Sequence, residues 1–430
     1  MDFRINKSAI TARVKAKSVY ILALLDQIVF GATASINFIV LENLISRDTY
    51  ALLATLYSFI VLYQLVSNAM YMDAFVVNLP QVGIDLYRPY FIYILKLFLL
   101  VSLISGLVFG GAYLMYAGVS TRSVSDFVLF CSAATSFSLM MFARRLCYSV
   151  QSIGKSFLGS LVYILLYAAF IAVGYYLEIL SLEYIFLSLA AATFGSFLLV
   201  AARLGVLGRL RLGADAGLDR ARLRGFHREY AGMGFVAGTL KWIPDNLLFS
   251  LLGVWSTLDH VATYRMATNL LMPFRHFIAS LVNVLLPKYS HLAVDGRSAE
   301  GWRHALGFIF LFLAVSGGMF AIFWFFGREI LDLLYRSNIE PVLKVILVLS
   351  IVPAFSAAQA ISGTFLKSTG KIKGVVLQSM VGAFLTILLG WQLSTRYGAM
   401  GAAVTLVISM FAMSVFGIIL VLRSQGRKAA

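Results

Sequence analysis

Apolar runs of about 20 residues recur along this chain at intervals of about 30 to 40 residues, from Val19 to Leu422, and that repeat leaves few folds open. A helix of that length matches the hydrocarbon thickness of a bilayer. Inside lipid every backbone N–H and C=O needs an internal partner, so such runs are expected to fold as a bundle of spanning helices. Only 13% of residues are charged and the mean hydropathy is +0.88. A soluble domain carries about 25% charged residues, which excludes a water-soluble globule.

The runs fall at roughly 19–41, 50–78, 91–117, 126–147, 157–177, 184–206, 230–254, 261–287, 304–325, 343–366, 374–395 and 400–422. The expectation is an all-α polytopic membrane protein with about 12 transmembrane helices in two six-helix lobes. Residues 1–206 form the first lobe and 230–430 the second, with 207–229 as a cytoplasmic basic linker or interfacial helix. Counting from an inside N-terminus, the inside segments hold 24 Lys and Arg residues and the outside segments 5. That asymmetry predicts that both termini are cytoplasmic. The net charge of +16 is therefore read as topology, with attraction to anionic membrane lipids and no nucleic-acid partner. The run after Met1–Lys17 is too long for a signal-peptide core and is expected to stay in place as the first helix. The two cysteines, Cys131 and Cys147, sit in one apolar run without ligand spacing, so neither a disulfide framework nor structural zinc is expected.

Ionisable residues deep in spans are costly and mark pathways by default. Here they are Asp26, Asp73, Lys96, Lys241, Asp245, Arg265, Arg275 and His276. Span eight carries Arg265, Asn269, Met272, His276 and Asn283 at offsets that project onto one helical face, with Arg275 beside them. Such a row cannot face lipid. It either contacts a substrate or makes interhelical bonds, with Asp245 as a neutralising partner. Lys241 and Asp245 lie four residues apart on span seven and are able to pair with each other. Lys241 and Arg275 nevertheless fall at similar depth, which favours an anionic guest. The substrate-binding set is thus Lys241, Arg275, His276, Arg265 and Asn269. Asp26 either holds a coupling ion or pairs with Lys96, and Asp245 is a second ion-coupling or charge-pairing candidate. Pro244, Pro273 and Pro353 lie deep in spans seven, eight and ten and are expected to bend them.

No catalytic or nucleotide motif stands out. Gly154-Lys155-Ser156 resembles the tail of a phosphate loop, but position 149, where its first glycine belongs, is Ser149. The five histidines form no metal motif, and every loop is short, so no enzyme, cofactor or metal is expected. The loop after span four reads Gln151-Ser152-Ile153-Gly154-Lys155 and the loop after span ten reads Lys367-Ser368-Thr369-Gly370-Lys371. The shared Ser-x-Gly-Lys at one topological place hints at a duplication of two parallel halves.

Three stretches carry a resemblance. Ala34 to Tyr57 is similar to the first helix hairpin of the oligosaccharide flippase, or polysaccharide transport, family of the multidrug/oligosaccharidyl-lipid/polysaccharide exporter superfamily. Tyr264 to Ser290 resembles that family's eighth helix, and Phe365 to Ala403 its Gly-Lys loop followed by a Tyr-Gly-x-x-Gly-Ala-Ala helix start. The resemblance implies a MATE-like pair of lobes and alternating access. It also implies export of a polyprenyl-diphosphate-linked oligosaccharide across the cytoplasmic membrane for surface polysaccharide biosynthesis. A monomer working beside a polysaccharide polymerase and chain-length proteins is the implied setting. A cation-coupled drug antiporter of the same superfamily and a membrane polymerase or ligase of lipid-linked sugars are the competing readings. Asp73 and Asp245 depart from a purely cationic path.

Overall fold

Helix is the only regular structure among the described residues of this computed structural model, which covers 22–429 apart from 23–24, 28, 32, 34–36, 73, 76–78, 80–85, 118–120, 151, 207–219 and 336–338. Asp73, Asn78 and the N-terminal basic residues lie outside the described set, as do Arg209 and Arg211 and the side chain of Asn283. The first helix is described in part; its best-described stretch, 37–44, is α1. There follow α2 (Arg47–Ser67), α3 (Tyr87–Ala117), α4 (Thr121–Ser149), α5 (Ile153–Tyr176), α6 (Leu182–Arg203), α7 (Arg220–Trp242), α8 (Leu248–Trp255), α9 (Leu258–Asn269), α10 (Met272–Val294), α11 (Ser298–Leu334), α12 (Glu340–Leu349), α13 (Val352–Ser368) and α14 (Ile372–Ala429). Among the described residues seven helices are long and apolar enough to cross a membrane. One of them, Lys373–Gln425, has 53 residues, which at 1.5 Å per residue is long enough for two crossings.

The chain turns within that segment at Gly398, whose φ of 54° and ψ of −129° are non-helical. A left-handed φ of this kind favours glycine. A Cβ on Gly401 would collide with the backbone carbonyl of Leu393, eight residues earlier. A straight helix would hold those two positions about 12 Å apart along its axis, so the backbone doubles back here. Spans eleven and twelve of the sequence reading are the two arms of this turn.

The three deep prolines all mark breaks. Pro244 lies in a π-helical turn, Ile243–Leu247, between α7 and α8. Pro273 opens α10 after the break at Leu270–Leu271, and Pro353 opens α13 after Ser350–Ile351. Each lacks the N–H that an uninterrupted helix would use, and the freed carbonyl is taken up by a local change of pitch. A second π turn, Asn68–Met72, follows α2 without a proline. The break before Pro273 divides the polar row expected on span eight: Arg265 and Asn269 belong to α9, and Arg275 and His276 to α10.

Two compact units result, and both are discontinuous in sequence. The first comprises Met1–Phe30 and Met70–Ala231, the second Gly31–Ala69 and Gly232–Ala430. Within the first, α3 packs on α4 through Phe98 and Phe142, with ring centroids 4.5 Å apart. Leu223 and His227, four residues apart on α7, are buried in the same unit, where His227 Nε2 meets the Tyr90 hydroxyl at 2.8 Å. The basic stretch from Arg220 runs without a break into α7, with Arg224 and Arg228 exposed; the rest of the 207–229 linker lies outside the described residues. In the second unit Tyr289 of α10, Trp302 of α11 and Phe365 of α13 form an edge-to-face aromatic core.

The two Ser-x-Gly-Lys segments stand at equivalent junctions, between α4 and α5 and between α13 and α14. Lys155 Nζ donates to the carbonyl of Arg203, the last residue of α6, at 2.9 Å. Lys371 Nζ donates to the carbonyl of Ser424, near the end of α14, at 3.2 Å. Lys155 therefore satisfies an orphan carbonyl at a helix C-terminus, where the helix dipole also favours a cation, and Lys371 bonds a carbonyl within the last turns of α14.

Candidate functional site

Charge is buried in two places, one in each unit. In the first unit Asp26 is fully buried in the first helix. Its Oδ2 accepts from Arg144 Nη2 at 3.0 Å, the Tyr148 hydroxyl at 2.6 Å and Ser156 Oγ at 2.8 Å. Its Oδ1 accepts from Ser160 Oγ at 2.6 Å. Arg144 is itself only 3% exposed, and its guanidinium lies 3.8 Å from the centroid of the Phe30 ring. Two residue pairs at four-residue spacing, Arg144 with Tyr148 on α4 and Ser156 with Ser160 on α5, thus converge on one carboxylate.

The partner of Asp26 in this geometry is Arg144, one of the 24 Lys and Arg residues counted to the inside segments. Lys96 stands exposed on α3. Tyr148, Ser156 and Ser160 also escaped the sequence reading. Their signal was available: polar residues four apart in otherwise apolar spans mark a face that needs a polar partner.

The second site belongs to α9 and α10. Arg275 Nη2 lies 3.3 Å from Asp245 Oδ1, with both side chains about one quarter exposed, at 26% and 25%. Tyr264 is buried within electrostatic reach of both. His276 packs where Gly31 has no Cβ; any side chain there would occupy the imidazole. Lys241 is exposed on α7, two residues before the π turn that carries Asp245.

Arg265 is enclosed instead. It is 3% exposed and lies over the Phe38 ring at 3.7 Å, with the Phe249 and Tyr57 rings at 5.1 Å and 5.5 Å. Among the described residues no hydrogen-bond acceptor reaches its Nε or Nη2, and no carboxylate pairs with it. One turn on, Asn269 donates to the Tyr50 hydroxyl at 2.8 Å, and Tyr335 donates to the carbonyl of Met266 at 3.0 Å. The substrate-binding set read from the sequence is therefore two environments: a half-open ion pair at Arg275 and a closed guanidinium at Arg265. No group of three His, Cys, Asp or Glu side chains able to hold a metal occurs among the described residues.

This is the fold of MATE transporters of the MOP superfamily. An outward-facing multidrug resistance MATE transporter matches with a TM-score of 0.70 at 11% identity, over 96% of this chain and 95% of that one. A mutant of the Vibrio cholerae MATE transporter VcmN matches at 0.67 and 11% identity, covering 98% of both chains. A MOP superfamily transporter from Pyrococcus furiosus, described as having a binding pocket of reversed polarity, matches at 0.66 and 10% identity over 94% of each. No protein-family model and no curated protein matches the sequence. The likeness defines an all-helical polytopic membrane protein of MATE-like fold.

Proposed function

We propose that this chain is a multi-pass transporter of the cytoplasmic membrane that works by alternating access and translocates a polyprenyl-diphosphate-linked oligosaccharide. The observation that carries the reading is the likeness over nearly the whole chain to MATE transporters, for which both outward-facing and inward-facing structures are known. Transport of this kind needs no covalent step, and the protein acts as a carrier and not as an enzyme. The cargo class rests on charge. Arg265, Arg275 and Lys241 sit on α9, α10 and α7 of one unit, with Asp245 on the π turn and the buried Glu42 on α1 as the acids near them. A desolvated guanidinium with free donors suits a phosphate or carboxylate better than a cationic drug.

Asp26 points the same way. Its two oxygens already accept four hydrogen bonds, one of them from a guanidinium. A cation entering that site would have to displace Arg144, so Asp26 serves charge pairing in this state. Both termini on the cytoplasmic side, a twelve-helix count and a monomer working beside a polysaccharide polymerase and chain-length proteins complete the proposal. The test is transfer of a fluorescent polyprenyl-diphosphate oligosaccharide in liposomes holding the purified protein, beside Arg275→Ala and Lys241→Ala. We expect protein-dependent transfer that both substitutions reduce by at least tenfold. Efflux of cationic dyes with no transfer of any lipid-linked sugar would overturn it.

A further inference from the structure

Arg265 presents an energetic imbalance. Burying an ion costs more than a cation–π contact returns, and the three rings around Arg265 hold it with no acceptor on Nε or Nη2 among the described residues. A side chain kept at such cost is explained when a second conformation uses it.

The cover over Arg265 is defined. Phe38 lies on α1 and Tyr57 on α2, so two of the three rings belong to one helical hairpin, 37–67. That hairpin is held by polar contacts at its tip and, midway along α2, by Trp242 Nε1 donating to the Ser58 carbonyl at 2.7 Å and a Ser58–Ser250 hydroxyl pair at 3.2 Å. Arg47 pairs with Asp259 and donates to Thr263 Oγ1 at 2.9 Å, and Asn43 Nδ2 donates to the carbonyl of Leu334 at 2.9 Å. Tyr50 takes the bond from Asn269. The Arg47–Asp259 pair is partly exposed, at 26% and 60%, where such pairs are weak. At its other end the hairpin's two helices leave the unit at Gly31 and at the π turn Asn68–Met72. A glycine and a π turn are both places where a helix changes direction at low cost.

We propose that the 37–67 hairpin is a movable cover and that Arg265, uncovered, is a binding site for a phosphate-type oxyanion, with Asn269 freed from Tyr50 as a second donor. The ligand class rests on the transport reading above, but the movement does not.

The experiment places one reporter thiol on the covered face. Ala262 is fully buried and lies three residues before Arg265 and seven before Asn269 on α9. In a protein with Cys131→Ala and Cys147→Ala, the Ala262→Cys thiol is labelled with a small anionic methanethiosulfonate, with and without inorganic pyrophosphate. Labelling should rise at least fivefold when Arg47→Ala and Asn43→Ala loosen the tip. It should not rise in Gln378→Ala, which breaks a buried network elsewhere in the unit. Pyrophosphate should slow labelling of the loosened protein, less with Arg265→Lys and not at all with Arg265→Gln. Equal labelling with the tip intact or loosened, or an equal rise in Gln378→Ala, would refute the cover. A rise that pyrophosphate never slows would refute the oxyanion site. Neither readout involves flux, so failure of the lipid-linked sugar assay leaves the movement standing.

Discussion

Replacing the two buried charges of the first unit, singly and together, gives a sharp test of how that unit is held. In Arg144→Met the carboxylate of Asp26 keeps its three hydroxyl donors but loses the only countercharge that hydrogen-bonds to it. In Asp26→Asn the guanidinium of Arg144 is left over the Phe30 ring with an amide in place of the anion. Breaking a buried pair from either side costs about 3–5 kcal/mol, because the remaining charge stays desolvated. The double substitution removes both charges; the hydroxyls of Tyr148 and Ser156 can still donate to the amide oxygen, and the amide NH2 can donate to Ser160 Oγ. It should therefore be no worse than the more damaging single change, with a coupling of about 3 kcal/mol in a double-mutant cycle. The readout is the thermal midpoint of the purified protein followed by the monodisperse fraction on size exclusion. Each single change should lower it by roughly 6–10 °C, at about 2 °C per kcal/mol for a large domain. Additive losses would show that the pair does not interact and would refute the reasoning.

Three further outcomes concern other parts of the molecule. Gly401→Ala should cost about 3 kcal/mol, because its Cβ meets the Leu393 backbone and not a side chain that can rotate away. Gly318→Ala on α11, with open space around it, should raise the thermal midpoint, by about 1 kcal/mol of helix propensity. A loss in both would place the damage elsewhere. His227, in the first turns of α7, has its pKa pushed down from 6.5 to about 4 by burial. The folded state favours the neutral ring, so this contribution is complete above pH 6.5 and is lost as pH falls toward 4. The loss should reach on the order of 3 kcal/mol. His227→Asn, which cannot titrate, should flatten that part of the pH–stability curve; an unchanged curve would show that His227 is not its source.

The spans were legible because a bilayer imposes a length that no other environment asks for, and the deep prolines marked their breaks because the missing N–H acts locally. Charge inside the bundle was legible as residue type but not as pairing. Asp26 drew attention as a lone acid, while Arg144 beside Arg145 counts among the cations of the inside segments, since only tertiary packing turns α4 so that one arginine points inward. The cage around Arg265 was hidden for a different reason. Phe38, Tyr57 and Phe249 are ordinary apolar residues of a membrane helix, and nothing in their order announces a cation among them. The passage of the first two helices from one unit to the other at Gly31 and at Asn68–Met72 is likewise a property of packing, since π turns without proline leave no local composition signal.

Lys155 and Lys371 have been treated as carbonyl donors, but they also belong to the basic loops that read as orientation signals. In the fold each lysine reaches from the start of one helical arm to the end of the arm that follows it, so each contact closes a pair of arms on itself. Loop and helix end lie on one side of that pair, and an inverted half would carry both together. The clasp therefore steadies a helix pair without distinguishing one orientation from the other.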